Sequence, residues 1–405
     1  MSTKEREIDE LLARSVASVL PSKEKLKELL LSGKRLRVYI GADATGPQLH
    51  LGHATNFMLL ERFRRLGHET IVLFGDFTAM LGDPTGRSKE RIALTKEQVE
   101  SHIASWKSQV SKLIDFEDTE NPAKILRNSE WLASMNLSDV IGLARHFTVQ
   151  QMLERDMFEK RLQEEKPIYL NEFLYPLLQG YDSVAMDVDI EIGGNDQTFN
   201  MLAGRTLQKA INSRDKSVIA TTLLEHPVTK KKLMSKSEGG YIALDDTPND
   251  MFGKSMALPD EIISQMFVDC TELPMAEIAV ITKTLASGGN PRDAKIRLAK
   301  EIVALYHGVE EAEKAETYFI GTFSKGALPD EALPVDAKIG EKLIDVIVRA
   351  GFAASNGEAR RKIAQGGVAI DGTKIDDLQA VIEENHDQQV MKVGKKDFAK
   401  ILLTR

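Results

Sequence analysis

Two histidines three residues apart, His50 and His53, stand where the sequence reads as the first turn of a helix. An apolar run from Leu36 to Ile40 breaks at Gly41 and Asp43, crosses a loop holding Thr45, Gly46 and Pro47, and re-enters regular structure at His50-Leu51-Gly52-His53. That spacing puts both imidazoles on one face of a helix N-terminus, where unpaired backbone N–H groups and the helix dipole favour an anion. Gly52 leaves room for a flat ligand against the backbone. A second set of polar residues, Tyr175, Gln179 and Asp182, is spaced i, i+4, i+7, so on a helix it forms one stripe among apolar neighbours. A third is the basic, glycine-flanked run from Lys230 to Gly240.

Side chains so far apart in sequence need a scaffold that brings loop ends together. Leu51, Ala54, Phe57, Met58, Leu60, Phe63 and Leu66 repeat with helical spacing up to Gly67, and Thr70 to Gly75 is a second β-favouring run. Strand, helix, strand opens a parallel α/β sheet, which binds ligands at the carboxyl ends of its strands. The loop from Gly41 to His53 and Asp83 would lie there. A strand at Val188 to Ile192, the turn Gly193-Gly194-Asn195-Asp196-Gln197 and a helix to Ile211 make a second strand-loop-helix unit. Residues 1 to 35 read as Glu-, Lys- and Leu-rich helices, Lys96 to Phe116 as an amphipathic helix, Ala123 to Arg127 as a strand, and Ser138 to Lys166 as mostly charged helix.

The chain has 405 residues, 53 basic and 61 acidic side chains and a formal charge of -8. Its length predicts two or three domains. A negative chain binds nucleic acid only through a local patch. One cysteine, Cys270, excludes an internal disulfide and a multi-cysteine metal site, and the remaining histidines have no metal-like spacing. A charged start and the lack of a long apolar run predict a cytoplasmic protein with no membrane segment.

His50-Leu-Gly-His53 resembles the first signature of class I aminoacyl-tRNA synthetases, and Leu233-Met-Ser-Lys-Ser237 resembles the second, with Leu233 where a lysine is usual. In that family both motifs embrace ATP, and imidazole and ammonium donors stabilise charge on the phosphates as a carboxylate attacks. Tyr39, Tyr175, Gln179 and Asp182, with Gly-Gly-Asn-Asp-Gln at 193 to 197, are similar to the tyrosine pocket of the tyrosyl-tRNA synthetases of bacterial type. The resemblance implies His50, His53 and Lys236 as catalytic groups, and Tyr39 and Asp182 on the substrate phenol. It implies Asp83, Tyr175 and Gln179 on the ammonium, with Gln197 near the carboxylate. ATP would meet Gly41, Asp43, Thr45, His50, Gly52, His53, Gly194, Asp196, Met234, Ser235, Lys236 and Ser237, with Asp196 on the ribose. A buried donor and acceptor aimed at a hydroxyl reject phenylalanine, because they are left unpaired.

Ala359-Arg360-Arg361-Lys362 and the Gly-Gly turn after it resemble the S4 RNA-binding domain, implying that Arg360, Arg361 and Lys362 meet phosphates. From Ile339 onward eleven basic side chains face ten acidic ones, so the segment is not basic as a whole. The expected order is a Rossmann-like catalytic domain at 1–247 and a helical anticodon-side domain at 248–325, then a linker at 326–337 and an S4-like α+β domain at 338–405. By the resemblance the partners are tyrosine, ATP with Mg2+ and tRNA(Tyr), no tightly bound cofactor is required, and the protein is a homodimer. A fold-retaining RNA-binding protein without catalysis, or an adenylate-forming enzyme without tRNA, are the alternatives that the residues leave open.

Overall fold

The computed structural model describes residues 2–85, 94–154, 156–226, 229, 232–234, 241–324, 333–394 and 397–404. It divides into two compact units, Met1–Ala312 and Glu313–Arg405. The first is built on six strands: β1 (Val16–Leu20), β2 (Arg37–Ala42), β3 (Glu69–Phe74), β4 (Lys124–Arg127), β5 (Ile190–Gly194) and β6 (Ser217–Thr221). Their order across the sheet is β1-β6-β5-β2-β3-β4. Every neighbouring pair is parallel except β1 with β6. Helices on both faces cover the sheet, so the inner strands are apolar in sequence, and β5 and β6 are buried at every position.

From β2 the chain moves outward through β3 to β4, then returns to place β5 and β6 on the other side. That reversal makes the gap between β2 and β5 the switch point, where a parallel sheet opens a crevice at its carboxyl end. Gly41 and Ala42 end β2 there, and Gly193 and Gly194 end β5. β5 starts two residues later than the alternation of apolar residues predicts, because Asp187 closes the preceding helix in a left-handed turn (φ 48°) and Val188 packs into the core.

The N-terminal segment departs from the all-helical expectation. Helices Thr3–Leu11 and Lys23–Leu31 flank β1, whose Val16 and Val19 favour an extended edge. Helices Pro248–Met256, Ile263–Cys270, Met275–Ala286 and Pro291–His307 belong to the same compact unit as the sheet. The buried Arg14 guanidinium ties them to the N-terminal segment, donating to the carbonyls of Val268 (3.0 Å) and Leu273 (2.8 Å). Among the described residues no helix is long and apolar enough to cross a membrane.

The second unit holds a five-stranded sheet of β7 (Leu333–Ala337), β8 (Val368–Ile370), β9 (Thr373–Lys374), β10 (Val390–Val393) and β11 (Asp397–Leu403), in the order β7-β11-β10-β8-β9. Leu333–Ala337, which the two prolines suggested was linker, pairs in parallel with β11 and buries Val335 and Ala337. Helices Leu343–Arg349 and Asn356–Ala364 share one apolar core with this sheet. Arg360 and Arg361 are exposed, whereas half-buried Lys362 donates to the Phe352 carbonyl and pairs with Glu358 (3.3 Å).

Candidate active site

A cleft of about 400 Å³ opens at the carboxyl ends of β2 and β5. The histidine pair forms one wall. His50 is the N-cap of the helix Leu51–Arg65, and its backbone N–H donates to His53 Nδ1 (3.2 Å). That bond makes Nδ1 an acceptor, so a neutral His53 carries its proton on Nε2 and can donate it to an anion. The imidazole centroids lie 3.8 Å apart. A Cβ on Gly52 would sit 3.1 Å from His50 Nδ1 and 3.4 Å from Met234 Cβ, so glycine lets these groups close in.

The helix Lys96–Val110 holds much of the loop before the histidines. Gln109 accepts the Leu49 N–H (2.8 Å) and donates to the Pro47 carbonyl (2.9 Å). Trp106 donates to the Gly46 carbonyl (2.6 Å), Ser105 to that of Pro47 (2.8 Å), and His102 Nδ1 lies 2.8 Å from that of Ala44. The loop's polar backbone is thus paired by side chains.

The opposite wall is the helix Asn171–Met186, which carries the stripe read from the sequence. Tyr175 donates its hydroxyl proton to Asp43 Oδ2 (2.9 Å), while Asp43 Oδ1 accepts from Thr78 (2.6 Å). Gly75 must lack a side chain, since its Cβ would fall 2.1 Å from Asp43 Oδ1. Gln179 donates at 3.5 Å to Glu191, and its buried Oε1 has no hydrogen-bond partner among the described residues. Asp182 is buried and accepts from Trp131 Nε1 (2.8 Å) and Asn128 Nδ2 (3.3 Å). Burial pushes its carboxyl well up, against the pull of these two donors. Asp83 accepts from the Thr85 N–H (2.9 Å) and from Gln197 (2.7 Å), and Asn200 holds the other end of the Gln197 amide (2.9 Å).

The structure brings Gly41, Asp43, Thr45, His50, Gly52, His53, Asp83, Tyr175, Gln179, Asp182, Gly194, Asp196, Gln197 and Met234 to this cleft. Tyr39 is not in its lining; it is fully buried, and its hydroxyl pairs with Ser183 Oγ (2.8 Å). Ser235, Lys236 and Ser237 lie outside the described residues. Lys232, one position before the unusual Leu233, lines the cleft and pairs with Asp196 (2.9 Å).

Sequence reasoning missed Thr78, Asn128, Trp131 and Glu191, and left open any role for Lys231 or Lys232. Asn128 and Trp131 directly follow β4, so the strand-end rule that located Asp43 would have found them. Glu191 was detectable as a carboxylate between two isoleucines in a buried strand.

Residues 31–324 match the family model described as tRNA synthetases class I (W and Y). Residues 331–401 match the Tyrosine--tRNA ligase SYY-like C-terminal domain. The tyrosine-tRNA ligase of Carboxydothermus hydrogenoformans is 43% identical over 408 residues, covering 98% of each chain. That of Idiomarina loihiensis is 44% identical over 407 residues and covers 100% of each. A C-terminally truncated mitochondrial tyrosyl-tRNA synthetase from Aspergillus nidulans superimposes with a TM-score of 0.66 at 23% identity, over 77% of this chain and 92% of that one. The tyrosyl-tRNA synthetase of Archaeoglobus fulgidus, solved with L-tyrosine, gives 0.60 at 23% identity, over 78% and 100%. These two likenesses concern the fold. With a family model over most of its length and near-full-length relatives above 40% identity, the chain belongs to the class I tRNA synthetases, in their tyrosine-tRNA ligase branch.

Proposed function

We propose that this cleft charges tRNA(Tyr) in two steps. In the first, a carboxylate oxygen of tyrosine attacks the α-phosphorus of ATP, which enters as its magnesium complex. An acyl–phosphate bond forms, the bond between the α-phosphorus and the bridging oxygen breaks, and pyrophosphate leaves. In the second, a terminal ribose hydroxyl of the tRNA attacks the acyl carbon, gives up its proton, and AMP departs.

One observation carries the reading: the cleft offers acceptors at one end and donors at the other. Tyr175 has spent its only proton on Asp43, Gln179 Oε1 has no partner among the described residues, and Asp83 is a carboxylate, so these three oxygens suit an ammonium. Asp182 stands on the same helix as an acceptor for a phenol, with Tyr39 behind the wall. The helix N-terminus with His50 and His53 supplies donors for the phosphates, and Lys236 joins them. Gly41, Asp43, Thr45, Gly52, Gly194 and Met234 shape the nucleotide side, Asp196 takes the ribose and Gln197 lies near the carboxylate. Lys232 must release Asp196 for the ribose to bind, which makes its ammonium available to the nucleotide.

The second unit, with Arg360 and Arg361 exposed, contacts the tRNA, and two copies form the working enzyme. Five large apolar side chains exposed between β4 and β5, Leu137, Ile141, Val149, Leu162 and Leu170, support pairing. Tyrosine-dependent exchange of labelled pyrophosphate into ATP tests the reading directly. No exchange with tyrosine, or equal exchange with phenylalanine, overturns it. Sedimentation equilibrium tests the dimer, and a monomer at micromolar concentration ends that part of the reading.

A further inference from the structure

Behind the wall that carries Gln179 and Asp182 lies a buried ion pair that catalysis does not use. Lys216, fully buried, donates to Glu191 Oε2 and to Ser183 Oγ (2.7 Å). Glu191 and Tyr39 face each other across the parallel ladder of β5 and β2, and the Lys216 ammonium stands 5.9 Å from the Tyr39 ring centroid. Space is reserved for the group: a Cβ on Gly204 would fall 2.6 Å from Lys216 Nζ and 2.8 Å from Ser183 Oγ. Gly180 in turn lets the helix Asn171–Met186 approach the Gly204 backbone. Stability does not explain the pair, because apolar side chains of similar volume usually replace a buried ion pair at little cost.

Hydrogen-bond direction does explain it. An ammonium only donates, so Lys216 fills a lone pair of Ser183 and fixes which atoms that hydroxyl has left to offer. Ser183 sits 2.8 Å from the Tyr39 oxygen, where either hydroxyl can donate, and 3.4 Å from Glu191 Oε2, so its single proton is offered to two acceptors. Turned to Tyr39, it leaves Tyr39 its own proton to donate onward. Glu191 Oε1 takes the Gln179 N–H₂ at 3.5 Å, which turns the Gln179 carbonyl oxygen into the acceptor left over. We propose that Lys216 and Glu191 are positioning residues for substrate selection: through Ser183 and Gln179 they orient Tyr39 as a donor to the substrate phenol and Gln179 as an acceptor for its ammonium. This rests on the tyrosine reading of the cleft.

The test compares two neutral double variants of the full chain. Glu191→Leu with Lys216→Met removes every polar contact. Glu191→Gln with Lys216→Met restores an acceptor for Gln179 and a donor for Ser183. In pyrophosphate exchange the apolar pair should raise the KM for tyrosine about 10- to 100-fold and cut the tyrosine-over-phenylalanine ratio of kcat/KM by about tenfold or more, with the KM for ATP unchanged. The glutamine version should recover most of both. A folded apolar double variant with wild-type KM and discrimination overturns the proposal, as does a glutamine version no better than the apolar one. Should the apolar pair fail to fold, Ser183→Ala decides: a discrimination ratio reduced about tenfold supports the relay, and an unchanged ratio overturns it. Wild-type protein without tyrosine-dependent exchange instead sinks the underlying reading.

Discussion

At the scale of single residues, the site is organised by which atoms are already spent. His53 Nδ1 accepts the His50 N–H, which puts the proton of a neutral ring on Nε2, the donor that the proposed mechanism gives to the phosphates. His53→Ala should slow adenylate formation about 10²-fold, measured by single-turnover kinetics, with tyrosine binding intact; an unchanged rate would remove His53 from the chemistry. Asp182 makes a pH prediction. Burial raises its carboxyl above the ordinary range, so lowering the pH protonates it before an exposed aspartate would titrate. On the proposed reading, protonation removes one acceptor for the substrate phenol. The KM for tyrosine should therefore rise as pH falls, beginning above about pH 4, while the KM for ATP stays level. Asp182→Asn should abolish that dependence, and a pH profile identical to wild type would assign it elsewhere. The residues legible in the sequence are those whose spacing announces a face: His50 with His53, and Tyr175 with Gln179 and Asp182. Glu191 and Lys216 were not legible as a pair, because only the pairing of β5 with β6 brings the Lys216 side chain within reach of Glu191.

At the scale of elements, the helix Lys96–Val110 does for the histidine loop what a partner strand would do for a strand. Gln109 satisfies the buried Leu49 N–H and shares the Pro47 carbonyl with Ser105. Gln109→Ala leaves that N–H unpaired, at a cost of about 1–3 kcal/mol. The expected outcome is a lower Tm by differential scanning fluorimetry, with a higher KM for ATP and no change for phenylalanine discrimination; an unaltered Tm would show that water replaces the amide. The sequence announced the helix through its period but not its task, since side-chain-to-backbone bonds leave no periodic signal. The strands divide the same way. β2 and β3 are apolar runs bounded by glycine and were readable. β1 was not, because five residues between two charged helices carry too little pattern to stand apart from them.

At the scale of the whole molecule, residues 313–405 fold around a core of their own. Removing residues 338–405 should therefore spare tyrosine activation and reduce tRNA charging, compared by pyrophosphate exchange and by aminoacylation of the same tRNA. Equal loss of both would mean that the segment supports the catalytic unit. The exposed Arg360 and Arg361, rather than Lys362 with its internal partners, should account for most of the loss.

The antiparallel edge of the first sheet also sets a timetable. β1 is made early, yet its partner β6 follows only after roughly 200 residues, which at about 5–20 residues per second is about 10–40 s of synthesis. Until then Val16–Leu20 is a strand without a sheet, on a growing chain whose β2, β3 and β4 can already pair. Nascent chains stalled before residue 217 should lose their N-terminal segment to protease, whereas chains with β6 free of the ribosome should keep it. Equal protection of both would mean that β1 finds shelter before its strand partner exists.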